Sequence, residues 1–125
     1  MISLAFSERV KLCDLTSLTF YKDRLTTSRR LSSVAQLTCT PKLRLLSYSS
    51  CYKHEPEYVQ CYNRGSNGNH VQWECRADLD KRVKFSMLKV SCEGYDFTDD
   101  PYVLAGSCGL EYSLEMKPSN NLSEY

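Results

Sequence analysis

The chain has 125 residues, a formal net charge of +1 and 42% hydrophobic residues. A chain of this length forms one domain and buries about two-thirds of its unfolded surface. The near-neutral charge argues against nucleic acid as a partner, because phosphate binding requires a concentrated basic surface. No apolar run in the sequence approaches the roughly 20 residues that span a bilayer.

The first eleven residues, 1–11, are predicted to be an N-terminal extension that precedes the folded domain. Their apolar part, residues 1–6, is shorter than the core of about 7–15 residues that a signal peptide requires, and Glu8 and Arg9 follow it.

The next part of the chain is predicted to contain short strands. Leu12–Tyr21 holds either one bent strand or two short ones, because its apolar positions do not alternate cleanly. Residues 25–31 are polar and basic and are expected to form an exposed strand edge or a turn. Val34–Cys39 is a candidate strand that ends before Pro41, since proline cannot donate to a ladder. Residues 42–57 are predicted to form a long loop.

The best-defined local element is a hairpin in the middle of the chain. Tyr58–Tyr62 and Val71–Cys75 flank an Asn-Gly pair at positions 67 and 68, and Asn-Gly is the strongest short turn signal. A three-residue loop centred on Gly68 places the cysteines of the two strands directly opposite each other. A two-residue turn at 67 and 68 shifts them apart by one position. The pattern leaves both registers open.

The stretch from residue 83 to residue 92 alternates in two phases. A change of phase between adjacent residues predicts either a β-bulge or a break between two strands. The inward positions are Val83, Phe85 and Met87 in the first phase, then Leu88, Val90 and Cys92 in the second.

The last strand has the most regular alternation. Its predicted inward positions are Leu110, Tyr112, Leu114 and Met116. Pro118 ends the strand. No segment of the sequence keeps a helical period for three turns, so the chain is predicted to be an all-β domain.

Six of the seven cysteines are predicted to form three structural disulfides, because they lie in short alternating runs beside inward apolar residues such as Trp73. Six cysteines allow 15 connectivities. The preferred pair is Cys61–Cys75, and Cys13 is predicted to be a free thiol. Disulfides of this kind indicate an oxidising compartment. The six cysteines are Cys39, Cys51, Cys61, Cys75, Cys92 and Cys108.

No pattern of catalytic residues is present, so the chain is predicted not to be an enzyme and to carry no cofactor. No two cysteines have the two-residue gap of a redox pair or a zinc knuckle. His54 and His70 are predicted to be solvated loop residues without a metal. Asn121 begins a glycosylation sequon, Asn-Leu-Ser, near the C-terminus.

One acidic loop is a weak candidate for calcium. It lacks the alternate acidic positions, the central glycine and the final glutamate of an EF-hand, so we expect affinity no tighter than about 10⁻⁴–10⁻³ M. Its carboxylates are Glu93, Asp96, Asp99 and Asp100.

Several blocks of the sequence, taken in order, resemble the luminal domain of the store-operated calcium entry-associated regulatory factors, the SARAF family. The similarity covers roughly residues 12–114. The blocks are Thr26-Thr27-Ser28-Arg29-Arg30, Val71-Gln72-Trp73-Glu74-Cys75, Asp78-Leu79-Asp80, Val90-Ser91-Cys92-Glu93-Gly94-Tyr95, Tyr102-Val103-Leu104 and Gly106-Ser107-Cys108-Gly109-Leu110-Glu111-Tyr112.

The resemblance implies a disulfide-stapled β-sandwich of short, mainly antiparallel strands over residues 12–117, lying in the lumen of the endoplasmic reticulum. It implies that residues 118–125 form a linker towards a transmembrane segment. It further implies negative regulation of store-operated calcium entry. In that case the full-length protein would contact a STIM-type sensor and an Orai-type channel through a cytosolic tail, and the domain would form a homodimer. The loop between Cys39 and Cys51 is longer than in the family, and Cys13 is an addition.

A disulfide-rich domain requires secretion, and the sequence shows no segment that directs it. We therefore expect the chain to be a piece of a longer protein. The alternative interpretation is a secreted disulfide-rich binding module, a ligand or an inhibitor, that is unrelated to calcium entry.

Overall fold

Eight β-strands and one short 3-10 helix, Leu12–Asp14, form the framework of the chain over the residues that the structure describes. The structure, a computed structural model, describes residues 8–41, 51, 53–68 and 70–118. The strands are β1 (Arg9–Lys11), β2 (Ser17–Tyr21), β3 (Leu37–Cys39), β4 (Tyr58–Asn67), β5 (His70–Arg76), β6 (Val83–Ser91), β7 (Tyr102–Leu104) and β8 (Gly109–Met116).

The strands form two three-stranded sheets and one two-stranded ribbon. The first sheet has the order β2-β4-β5 and is antiparallel throughout. The second has the order β3-β8-β6, in which β3 runs parallel to β8 and β6 runs antiparallel to it. The ribbon pairs β1 with β7. The prediction of an all-β, mainly antiparallel fold is confirmed.

The two larger sheets bury a shared core, as the layers of a β-sandwich do. Phe20, Val59 and Cys61 of the first sheet belong to the same buried cluster as Leu110 and the residues that follow it on β8. Alternation explains the pattern, because every second residue of a strand faces the same side of its sheet. The buried members of the cluster are Phe20, Val59, Cys61, Cys108, Leu110, Tyr112 and Leu114.

The central hairpin has a register that neither predicted turn provides. Asn67 pairs with His70, so the turn lies one residue later than the Asn-Gly pair. A register shift between Asn63 and Ser66 then brings Cys61 directly opposite Cys75. Gly65 lies within this irregularity with φ +129°, a backbone conformation that side-chain-bearing residues rarely adopt.

The bulge predicted between residues 83 and 92 is present, and β6 continues through it as one strand. The register between β6 and β8 shifts between Phe85 and Met87. The predicted inward position of Met87 is wrong, since its side chain is exposed, and Leu88 is equally exposed. Met116, at the end of β8, is also exposed rather than inward.

The N-terminal part differs from both arrangements expected for Leu12–Tyr21. The 3-10 helix Leu12–Asp14 separates β1 from β2, so only one strand lies in this segment. The strand β1 begins at Arg9, inside the segment predicted as an extension, because Arg9 pairs with Leu104 of β7.

The segment between β2 and β4 is less regular than predicted. The candidate strand Val34–Cys39 narrows to β3, preceded by an isolated bridge between Leu25 and Ala35. Residues 42–50 and 52 of the predicted long loop lie outside the described residues.

Trp73 packs against the core cluster but remains partly exposed, which corrects its prediction as a buried residue. Full truncation of a buried tryptophan costs about 3–5 kcal/mol. We expect Trp73→Ala to lower the free energy of unfolding by about 2 kcal/mol, since only part of the indole leaves water on folding. Urea denaturation measures this change. A loss below about 0.5 kcal/mol, the usual effect of a surface substitution, would contradict the packing of Trp73 against the core.

Candidate functional site

The acidic loop after β6 is organised around one buried carboxylate. Glu93 is 5% exposed. Its Oε1 accepts the backbone N–H of Arg29 at 3.1 Å, and its Oε2 accepts that of Arg30 at 2.7 Å. The backbone N–H of Leu31 also donates to this carboxylate. Glu93 therefore holds the loop that carries residues 29–31 against the end of β6. We refer to this arrangement as the Glu93 clamp.

The charge state of Glu93 follows from these contacts. Burial by itself raises the pKa of the carboxyl, but the donated backbone N–H groups and the Arg30 guanidinium outweigh that effect. The guanidinium Nε lies 3.9 Å from Oε2. The pKa of Glu93 is consequently held below its ordinary value of 4.5, and the side chain is an anion at neutral pH.

The arginines of the clamp also bind the chain beyond Glu93. Arg30 donates from Nη2 to the carbonyl oxygen of Gly94 at 2.6 Å. Arg29 donates to the carbonyl oxygen of Tyr95 and stacks over the Tyr95 ring at 4.1 Å. On the other side, the backbone N–H of Glu93 donates to Ser107 Oγ at 2.9 Å. Residues 29–31, residues 93–95 and Ser107 are thus joined around Glu93, through its carboxylate on one side and its backbone N–H on the other.

The other three carboxylates of the loop have different environments. The Asp100 side chain accepts the backbone N–H groups of Asp96 and Tyr102, each at 3.0 Å, and these bonds lower its pKa. Asp96 lies 3.8 Å from Arg29 Nη1. Asp99 is exposed and adopts a positive φ of 69°. Within residues 8–41, 51, 53–68 and 70–118, no three His, Cys, Asp or Glu side chains converge as a metal site would require.

Calcium binding at this loop is therefore predicted to be absent or weak, with any dissociation constant in the range of about 10⁻⁴–10⁻³ M. The physical reason is that Glu93 is buried and that both Glu93 and Asp100 already accept backbone N–H groups, which leaves few oxygens directed at a cation. Calorimetric titration of the folded chain measures the affinity. A micromolar constant that disappears in the Asp99→Asn/Asp100→Asn variant would contradict the prediction.

The cysteines predicted to be paired form three disulfides in the structure: Cys39–Cys51, Cys61–Cys75 and Cys92–Cys108. Cys61–Cys75 joins β4 to β5 between directly opposed residues, which was the preferred pair. Cys92–Cys108 joins the residue after β6 to the residue before β8. Cys13 is free, with its Sγ 3.2 Å from the carbonyl oxygen of Gly68.

Of the two histidines predicted to be solvated, His70 is exposed and His54 is not. The side chain of His54 is only 12% exposed, and its Nδ1 lies 3.7 Å from an Asp80 carboxylate oxygen. His70 is the first residue of β5 rather than a loop residue. The sequon residue Asn121 lies outside the described residues.

A groove of about 750 Å³ runs beside the clamp, between the edge strands β5 and β6. Trp73 lines it from β5 and Val90 from β6. Arg30 of the clamp and Cys92 also line it. No sequence pattern indicated this groove, because it depends on how the two sheets are placed. Its apolar lining residues are Leu12, Leu31, Trp73, Val90 and Val103.

The Glu93 clamp was also missed by sequence reasoning, which treated Glu93 as a candidate calcium ligand. Its partners are backbone N–H groups some 60 residues away, with separations of 64 for Arg29 and 63 for Arg30. Backbone donors leave no signature in a sequence pattern. The signal that could have connected them is that both segments belong to the blocks that carry the family resemblance.

Comparison with known proteins gives a consistent result. A family model described as the SOCE-associated regulatory factor of calcium homoeostasis matches residues 2–123. The store-operated calcium entry-associated regulatory factor of Xenopus laevis is 50% identical over 109 residues, covering 87% of this chain and 34% of that protein. Its counterpart in Danio rerio is 50% identical over 115 residues, covering 92% and 32%. The counterpart in Homo sapiens is 47% identical over 108 residues, covering 86% and 30%.

The chain spans about a third of the length of these curated relatives. Among the residues that the structure describes, no helix is both long enough and apolar enough to cross a bilayer. Because the family model matches nearly the whole chain and relatives in several vertebrates are about 50% identical to it, the chain belongs to the family of store-operated calcium entry-associated regulatory factors.

Proposed function

We propose that this chain is the luminal regulatory domain of an endoplasmic-reticulum membrane protein that negatively regulates store-operated calcium entry. The observation that carries the proposal is the set of three disulfides within one domain of this family. Such bridges form and persist in oxidising compartments, and the lumen of the endoplasmic reticulum is one of them.

The domain acts in this proposal as a regulatory module and not as an enzyme. The relatives are about three times as long as the matched region, so most of their length lies in other segments. We assign contact with a STIM-type sensor and an Orai-type channel to a cytosolic segment of the full-length protein. The luminal domain then sets the activity of that segment through luminal conditions or through self-association.

Self-association through a strand edge is part of this proposal. An unpaired edge strand offers a row of backbone donors and acceptors to another chain. β2 is an edge strand of the first sheet, and it lies within the weakly patterned N-terminal segment of the chain. We expect a dimer at high micromolar concentration in sedimentation velocity. A monomer throughout that range would contradict this part of the proposal.

A chimera tests the regulatory function. In cells that lack their own factor, the zebrafish relative is expressed with its matched 115-residue region replaced by this chain. Cytosolic calcium is then recorded after store depletion and calcium re-addition. We expect the chimera to limit calcium entry as the unaltered relative does. A matched chimera carrying Cys61→Ser and Cys75→Ser is expected to lose this effect, because the domain loses a bridge in its core.

Two outcomes would contradict the proposal. The first is a chimera that is expressed, oxidised and retained in the endoplasmic reticulum but leaves calcium entry unaltered. The second is release of the natural full-length protein into the medium, which would favour the alternative of a secreted binding module.

A further inference from the structure

Two of the three disulfides have closely matched positions in the fold. Cys61 and Cys75 are directly opposed in the antiparallel pair β4–β5. Cys92 and Cys108 occupy the next opposed position after the pair Ser91 and Gly109 of β6–β8. The Cα–Cα distance is 3.9 Å in both bridges and 5.6 Å in Cys39–Cys51. The two cross-strand bridges therefore differ in their surroundings rather than in their span.

The two bridges differ in their access to the groove. Each has one cysteine buried in the core cluster, Cys61 or Cys108, and one that is partly exposed, Cys75 or Cys92, but Cys75 does not line the groove. Cys92 is partly exposed and lines the groove of about 750 Å³ between β5 and β6. A thiolate can exchange with a disulfide only if it reaches one of the two sulfurs. The groove provides that approach to Cys92, with the more buried Cys108 as the leaving group.

We propose that Cys92–Cys108 is a thiol–disulfide exchange site, open through the groove to a dithiol protein of the Cys-X-X-Cys class. The reductant's thiolate attacks Cys92 Sγ, forming a mixed disulfide and releasing the Cys108 thiolate, which takes up a proton. The second cysteine of the reductant, having lost its proton, attacks the mixed disulfide as a thiolate. This step releases the Cys92 thiolate, which is protonated in turn, and leaves the reductant as a disulfide. Two electrons pass from the dithiol to the bridge.

The bridge is placed to control the Glu93 clamp. Cys92 precedes Glu93 in the chain, and Cys108 follows Ser107, whose Oγ accepts the Glu93 backbone N–H at 2.9 Å. While the bridge is closed, both sides of this hydrogen bond are covalently joined. Once it is reduced, hydrogen bonds alone hold residues 29–31 and the wall of the groove. Reduction is thus expected to loosen the loop 29–31 without unfolding the sheets.

This inference rests on the proposed function only for the source of the reductant, because the lumen of the endoplasmic reticulum contains dithiol oxidoreductases of this class. The reactivity of the bridge itself is a property of the purified chain. Thiol exchange on the purified chain can therefore fail while the proposed function stands, and the chimera experiment can fail while the bridge remains reactive.

The experiment uses the complete oxidised chain and a thioredoxin in which serine replaces the second active-site cysteine, so that the mixed disulfide is trapped. Cys13 is first blocked with a light alkylating reagent. Peptide mapping then locates the adduct. In parallel, unmodified reduced thioredoxin is added and newly released thiols are labelled with a heavy reagent over time. Hydrogen exchange is measured on the partly reduced protein at the backbone amides of residues 29–31.

We expect the adduct at Cys92. We also expect Cys92 and Cys108 to be labelled about tenfold faster than Cys61 and Cys75, because exchange requires the thiolate to reach the attacked sulfur. The amides of residues 29–31 should exchange faster after reduction, with β4 and β8 unchanged. Thr98→Trp, which places bulk on the groove lining, should slow labelling, whereas Lys81→Trp on an exposed turn outside that lining should not. An adduct at Cys75, or release of all three bridges together at the rate of global unfolding, would overturn the inference.

Discussion

Replacing Glu93 by glutamine is expected to lower the free energy of unfolding by about 3 kcal/mol. The carboxylate accepts backbone N–H groups of residues 29–31 in a buried position. Glutamine keeps the size of the side chain, but it removes the charge and turns one acceptor into a donor that faces another N–H group. Each buried donor left without an acceptor costs about 1–3 kcal/mol. Urea denaturation, followed by circular dichroism and tryptophan fluorescence, measures the change.

A matched carboxylate in the same loop provides the control. Asp99 is exposed, and asparagine tolerates its positive φ as well as aspartate does. Asp99→Asn is therefore expected to alter stability by no more than about 0.5 kcal/mol. If the two amide variants proved equally stable, the Glu93 clamp would not hold the loop in the way its hydrogen bonds indicate.

The loss of stability caused by Glu93→Gln is expected to depend on pH. The pKa of Glu93 is lower in the folded state than its ordinary value of 4.5, so the folded state stabilises the anion. That contribution is complete above pH 4.5 and is lost as the pH falls from 4.5 through the lower folded-state pKa. The stability difference between the natural chain and Glu93→Gln should therefore narrow below pH 4.5. A difference that stayed constant from pH 7 to the folded-state pKa would contradict the lowered pKa.

Replacing Phe20 by alanine is expected to destabilise the domain by about 3–5 kcal/mol, the usual cost of removing a buried phenylalanine. Phe20 is 1% exposed and packs with Val59 and Cys61 in the core between the sheets. Since total stability of a domain is about 5–15 kcal/mol, the variant should unfold at much lower urea concentration. Its neighbour Tyr21 offers a matched control, because it is an aromatic residue on the opposite face of the same strand.

Tyr21→Ala is expected to cost about 1 kcal/mol or less, a value typical of exposed aromatic contacts. Tyr21 is 37% exposed, and its ring centroid lies 4.0 Å from the Arg24 guanidinium carbon and 6.2 Å from the Tyr58 ring centroid. Both substitutions replace an aromatic residue by alanine in the same strand, so the loss of strand propensity is similar in the two variants. The difference between their free energies of unfolding therefore measures the effect of burial. Equal losses in the two variants would contradict the placement of Phe20 in the core.

The parts of the fold that could be predicted from the sequence are those fixed by local alternation. The last strand is an example, since Leu110, Tyr112 and Leu114 all face the core as expected. Alternation also predicted a bulge in β6, because an extra residue reverses the phase of the strand, but it placed the change after Met87 and the register shifts between Phe85 and Met87. It failed at Met87, Leu88 and Met116, which were predicted to point inward and are exposed. Alternation states which face a residue occupies but not whether another element covers that face.

The pairing of strands depended on features that a sequence pattern does not contain. The register of the central hairpin required both a turn after Asn67 and a shift between Asn63 and Ser66, and the two effects together place Cys61 opposite Cys75. The parallel pairing of β3 with β8 joins segments about 70 residues apart, and no local signal announces it. Long-range pairing follows from how the whole core packs.

The sequence predicted where the acidic loop lies but not what its carboxylates bind. The carboxylates at 93, 96, 99 and 100 suggested a cation because acidic side chains close in sequence often converge. In the structure Glu93 turns inward to backbone donors, Asp100 binds the backbone of its own loop, and Asp99 is exposed. The carboxylates of Glu93 and Asp100 thus accept hydrogen bonds from backbone N–H groups. A sequence pattern does not show which backbone groups will lie near a side chain.

We propose that this family member functions in the lumen with its three disulfides formed. The most direct test is a thiol count on the natural full-length protein from living cells, with thiols blocked by alkylation at the moment of lysis. We predict one blocked cysteine in this region, Cys13, and three bridged pairs: Cys39–Cys51, Cys61–Cys75 and Cys92–Cys108. Any fraction reduced by exchange should be confined to Cys92 and Cys108. Seven blocked cysteines would contradict the claim, because they would place the domain in a reducing compartment.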